Sequence, residues 1–270
     1  MTHWYTNAGE PMHEVPNASK PGQMRETTLR DARKLKLNPS VTTVTKIIDK
    51  GDMLLQWGKR QAIYSAVIAG IPKFQLVDGC LPQGRGTEFE NWANACIKDA
   101  EAQVREKAER GSILHDAMMK AHHAYEHIEP QYLAHVDGMM AMLERNFGKR
   151  EWIAEKCFAH EDGFGGSVDL QTADDDEDQI ILDYKFKDFD ESRDAEYFVY
   201  DEHRMQLGGY RKGLRKPGAR LFNAFGSITQ PGLVLLHAHS EEDARKGEAM
   251  FDLALRFWQA KNSYTPEWGK

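Results

Sequence analysis

Cysteine is scarce in this 270-residue chain: Cys80, Cys96 and Cys157 lie far apart and form no CxxC pair. Nothing therefore suggests a zinc knuckle, and three thiols are too few for a four-cysteine iron–sulfur cluster. A reduced compartment fits that usage. Long apolar runs are also missing. No stretch approaches the ~20 consecutive apolar residues of a membrane span, and the opening "MTHWYTNAGEPMHEVPNASKPGQ" lacks the charged-then-apolar order of a secretory signal. The expectation is a cytoplasmic protein with no membrane contact. A basic excess is the third absence: 35 Lys and Arg face 42 Asp and Glu, for a formal charge of -7. That argues against coating nucleic acid by charge alone. It leaves open a site that collects carboxylates to hold a divalent cation, because the bound metal reverses the local field.

What is present suffices for a core, with 41% apolar residues. Residues 1–38 are rich in Pro, Gly, Asn and charge without periodicity, and the expectation is a loosely ordered arm. Its basic cluster Arg25, Arg30, Arg33, Lys34 and Lys36 offers a minority case for phosphate contact. Residues 39–150 have a helical texture. Two short helices are expected in the part up to Gly70, then a loop-rich crossing, then three helices from 87 to about 147 with breaks at Gly111 and Pro130. From 151 to 270 the texture changes. "EWIAEKCFAH", "GGSVDLQT", "QIILDYKF", "ARLFNAFGSI" and "GLVLLHAH" are short β-prone runs separated by Gly, Asp or Pro. A sheet is the economical reading, with a helix between its third and fourth strands. A last helix follows Ser240 as cap, with Ala244, Phe251, Leu255 and Trp258 as its buried stripe. The acidic run "DDDEDQ" lacks the internal Gly and the final Glu of a calcium loop and reads as a solvated hairpin turn.

Alternation along "IILDYKFK" puts Ile180, Leu182, Tyr184 and Phe186 on one face and Ile181, Asp183, Lys185 and Lys187 on the other. If the acidic turn joins this run to "GGSVDLQT" as an antiparallel hairpin, Asp169 faces the Asp183–Lys185 pair. An exposed ion pair would explain two of these residues. Two carboxylates beside one lysine are also what a hard cation and an activated water require.

Gly165-Gly166-Ser167-Val168-Asp169, then Asp183-Tyr184-Lys185, then Gln206 and Tyr210 in "HRMQLGGYRKGL" resemble the PD-(D/E)XK nuclease superfamily, in its RecB-like exonuclease branch with a QxxxY signature. Gln206 and Tyr210, four apart, share one helical face. "ERGSILHDAM" is similar to the family's small-residue-then-histidine motif, with His115 as the histidine, whereas His122 and His123 match no motif and are expected to be exposed. "PSVTTVTKIIDK" and "LLQW" are similar to segments of phage exonucleases and the mitochondrial genome maintenance exonuclease.

The resemblance implies an α/β fold with a restriction-endonuclease-like core, a mixed central sheet flanked by helices, and an N-terminal helical cap. It implies Mg2+ or Mn2+ bound by His115, Asp169, Asp183 and the Tyr184 carbonyl, catalysis by Lys185, and no iron–sulfur cluster. Gln206 and Tyr210 would organise the lysine, water or strand, and Glu161 is a further candidate carboxylate. Asp183 stands where the commonest pattern has Glu. The expected function is a metal-dependent DNA exonuclease acting on single strands or free ends, in a bacterial or phage-infected cell, with a phage or host recombination protein as a candidate partner. Trp57, Tyr64 and Trp92 are candidate stacking surfaces for a single strand. A structure-specific endonuclease, a duplex-degrading recombination exonuclease and a non-catalytic DNA-binding accessory protein are the alternatives.

Overall fold

The computed structural model describes residues 2–47, 51–74, 80–81, 86–123 and 127–268, with the side chains of 51–56 excepted. Most of the expected loop-rich crossing, including Gly79, Pro82 and Gly84, lies outside the described residues. The chain divides into two compact units, one of Met1–Ile48 with Ile113–Lys270 and one of Asp49–Ser112.

The first unit is built on a five-stranded mixed sheet. Strands β5 (Trp152–His160), β6 (Phe164–Thr172), β7 (Ile180–Lys187), β8 (Arg220–Ser227) and β9 (Val234–Ala238) lie in sequence order. Every neighbouring pair is antiparallel except β7 and β8, which run parallel. A parallel neighbour needs a crossover, and helix α6 (Asp201–Gly213) lies within it. The acidic run forms the turn between β6 and β7, where Arg150 and Arg220 engage Asp178 at 3.3 and 2.5 Å.

Helices cover both faces. Ile180, Leu182 and Tyr184 pack with Met118 near the end of α4 (Glu88–His123) and with Met139 and Leu143 of α5 (Leu133–Phe147). On the opposite face Val168 and Ile181 pack with Leu207 of α6, Val41 and Val44 of α2 (Val41–Thr45), and Phe251 and Trp258 of α7 (Glu241–Asn262). Glycine allows α6 and α7 to meet closely, since a Cβ on Gly208 would stand 2.5 Å from the Glu248 backbone nitrogen.

Residues 1–38 are not a loose arm. Strand β1 (Trp4–Tyr5) pairs with β4 (Asn38–Pro39), β2 (Glu14–Pro16) pairs with β3 (Met24–Glu26), and α1 (Leu29–Leu35) starts at a Thr28–Asp31 capping box. The Trp4 ring is 1% exposed, sits among core residues with Trp258, and donates from Nε1 to the Thr27 carbonyl at 3.0 Å. The Pro, Gly and Asn content belongs to turns between very short strands, and one buried indole outweighs what the composition suggests. The basic cluster is partly used within the chain: Arg25 pairs with Asp31 at 2.6 Å and Lys36 with Glu267 at 2.9 Å.

Two expectations about the helical part also change. Helix α4 runs through Gly111 without a break, because a lone glycine costs a helix only ~1 kcal/mol. The expected cap of residues 39–150 is divided, with the stretches up to Ile48 and from Ile113 grouping with the sheet. The second unit contains α3 (Gly51–Ala69) and the earlier part of α4. Within it, the rings of Phe74, Phe89 and Trp92 cluster at 5.5 to 6.1 Å and Trp92 donates to the Gly70 carbonyl, while Trp57 and Tyr64 are exposed. Among the described residues no helix is long and apolar enough to cross a membrane.

Candidate active site

Strands β6 and β7 pair at Leu170–Leu182 and Gln171–Ile181, and beyond those pairs the ladder ends. There the Asp169 carboxylate accepts the Tyr184 backbone N–H at 2.9 Å, so a side chain takes the place of a ladder carbonyl. The split opens a pocket of about 240 Å3 lined by Ser167, Asp169, Asp183, Lys185, Gln206, Tyr210 and His115, with His3, Tyr5, Ser40 and Thr42 among the other lining residues.

Asp183 is 1% exposed and is the hub of the polar contacts. Lys185 Nζ lies 2.7 Å from its carboxylate, Gln206 Nε2 donates to Oδ1 at 2.8 Å, and Asn223 Nδ2 donates to Oδ2 at 2.8 Å. Gln206 also donates to the Tyr210 hydroxyl at 2.8 Å, one helical turn on. His115 Nε2 stands 3.0 Å from Asp169 Oδ2. The packing of β1 against β6 requires glycine in the "GGSVD" run: a Cβ on Gly165 would lie 2.9 Å from the Tyr5 Cβ.

The electrostatics follow from burial and pairing. Burial pushes the Asp183 carboxyl up to about 6, the charge of Asp169 adding to it and that of Lys185 opposing. Burial pushes Asp169 up too, but the hydrogen bond and charge of His115, with Lys185 and the Tyr184 N–H, bring it below its ordinary value. For His115 and Lys185, burial opposes the charged form, yet the two carboxylates outweigh it and raise both pKa values.

Glu161 does not line this pocket. It lies in the turn between β5 and β6, before the first residue of β6, and pairs with Arg215. The Tyr184 side chain crosses to the other face of the sheet, where its hydroxyl lies 3.1 Å from His122 Nε2. His122, expected to be exposed, is half-buried there, whereas His123 is exposed. Sequence reasoning also missed Asn223, the parallel-register partner of Asp183. The signal was a lone amide inside the apolar run "LFNAF". The His3 and Tyr5 wall was missed with the arm that carries it.

Among the described residues, no group of three His, Cys, Asp or Glu side chains is set to hold a metal ion as it stands. The donor chemistry nevertheless fits a hard divalent cation, since two carboxylates and one imidazole reach one pocket. Lys185 and His115 each pair with one of these carboxylates, at 2.7 and 3.0 Å.

No protein-family model matches the chain, and no curated protein does. Among solved structures it is similar to the crystallised protein SSO0001, at 17% identity over 48% of this chain and 61% of that one, with a TM-score of 0.26. The chain thus spans less than two thirds of that protein, and a likeness at this level carries no argument.

Proposed function

We propose that the chain is a Mg2+- or Mn2+-dependent deoxyribonuclease, an exonuclease with a restriction-endonuclease-like core that hydrolyses phosphodiester bonds at single strands or free DNA ends. The observation that carries this reading is the meeting of Asp169, Asp183 and Lys185 at the β6–β7 split, with Gln206 from α6 tied to Asp183. An exposed ion pair, the bland explanation for Asp183 and Lys185, does not fit an aspartate that is 1% exposed and bonded by three side chains.

The two cationic groups of the pocket lining are each engaged by a carboxylate, Lys185 by Asp183 and His115 by Asp169. A substrate phosphate therefore needs an added cation, which Asp169, Asp183, His115 and the Tyr184 carbonyl would hold. When bound, that cation polarises the phosphate and acidifies a water. Lys185 orients the attacking water and stabilises negative charge on the phosphate oxygens. Gln206 fixes the direction of the Asp183 carboxylate, and Tyr210 fixes Gln206.

The test is digestion of end-labelled single-stranded, duplex and closed circular DNA, and of RNA, with Mg2+, Mn2+ or EDTA. Metal-dependent loss of linear DNA that spares circles and fails in Lys185→Ala is the expected result. Cleaved circles would favour an endonuclease, cleavage of RNA alone would overturn the DNA assignment, and binding without cleavage in any metal would overturn the catalytic reading.

A further inference from the structure

Strand β9 leads into two histidines outside the pocket, His237 and His239, whose ring centres stand 4.6 Å apart at 77°. Each has one ring nitrogen engaged. His239 Nε2 lies 2.8 Å from Asn223 Oδ1, and Asn223 Nδ2 donates to the Asp183 carboxylate. An ionised carboxylate only accepts, so the Asn223 nitrogen faces Asp183 and its oxygen faces His239. His239 must then carry its proton on Nε2, which leaves Nδ1 a bare lone pair. Glu196 Oε2 lies 3.2 Å from His237 Nδ1, which favours the proton on that nitrogen and leaves Nε2 bare as well. Both remaining nitrogens are buried and, among the described residues, have no hydrogen-bond partner.

A buried acceptor left unmatched is costly, and here two occur on adjacent rings of one strand. Their outer partners, a carboxylate and an amide oxygen, are of the kind that orient metal-binding histidines. Size agrees: nitrogens ~2.0–2.1 Å from zinc at a tetrahedral angle put imidazole centres roughly 5 Å apart. Arg204 lies near the pair, and its charge would oppose a cation there. Arg204 is itself engaged by Asp201 at 3.2 Å and Asp243 at 2.8 Å, which offsets its repulsion of a cation.

We propose that His237 and His239 form a second cation site, separate from the nuclease pocket, for a zinc-like transition ion. Imidazole nitrogens favour zinc, nickel or copper over magnesium, whereas the pocket's two carboxylates also accept magnesium, which in excess competes with zinc there. A cation on His239 Nδ1 makes Nε2–H a stronger donor to Asn223 and so tightens the hold of Asn223 on Asp183.

The site does not depend on the nuclease reading and is tested without it, by calorimetric titration of the full chain with Zn2+ in excess Mg2+. One Zn2+ per chain is expected in the wild type and in the His115→Ala, Asp169→Asn double variant, with loss in His237→Gln and in His239→Gln. Circular dichroism checks that the variants fold. Should His239→Gln unfold through its bond to Asn223, His237→Gln decides. Absence of Zn2+ binding in excess Mg2+, or binding unchanged by His237→Gln, overturns the proposal. Binding lost only in the His115→Ala, Asp169→Asn variant would place the ion in the carboxylate pocket and overturn it equally.

Discussion

Leu182 and Asp183 are neighbours on β7, 0% and 1% exposed, yet they face opposite sides of the sheet and have opposite needs. Leu182 packs among Met139, Leu143, Phe222 and other apolar side chains, where shape suffices. Asp183 is buried at a cost, offset by three donors from β7, α6 and β8 that all aim at one carboxylate. One strand thus carries a face that stabilises the fold and a face that the fold must stabilise. The comparison teaches that burial alone does not mark core.

Substitutions on the two faces should separate accordingly. Lys185→Ala is expected to lower metal-dependent turnover per folded molecule by about 10²–10⁴-fold, and also to cost stability by leaving the buried Asp183 with one donor fewer. Leu182→Ala is expected to cost about 2–5 kcal/mol in urea unfolding and to leave turnover per folded molecule close to normal. Equal loss of turnover per folded molecule from both would break the distinction between the faces.

The site face should also respond to pH. The His115 pKa is raised above the ordinary imidazole value of 6.5, and a protonated imidazole cannot ligate a metal, so Mn2+ affinity should fall as pH drops through the His115 titration, by up to about tenfold per pH unit. Protonation of Asp183 adds to the fall below about 6. Mn2+ titrations across that range, on wild type and His115→Ala, check the slope, which the variant should reduce.

A smaller effect concerns stability. A carboxyl whose folded pKa is raised binds its proton more tightly in the folded state, so its contribution is most favourable below the ordinary value of 3.8 and is lost as pH rises toward about 6. The stability of the wild type relative to Asp183→Asn should therefore decline across that window. A Leu182→Ala comparison should show no such slope.

The sheet, its crossover helix and the pairing of Asp183 with Lys185 could be read from alternation and turn residues, because each strand carries its own pattern. The first 38 residues could not. Two-residue strands are too short for a period, and Trp4 is core only because Trp258 and Tyr264, distant in sequence, close over it. Asn223 and His239 escaped for a related reason: a polar residue in an apolar strand signals a buried partner without saying which one. Glu161 shows the converse, since nearness to Asp169 in sequence did not bring it into the pocket from the turn before β6.

The most direct test of the central claim is an anomalous-difference map from crystals of the wild-type protein grown with Mn2+. The account predicts a peak within coordination distance of both Asp169 and Asp183. A protein that cleaves DNA in Mn2+ yet has no peak in that pocket would contradict it.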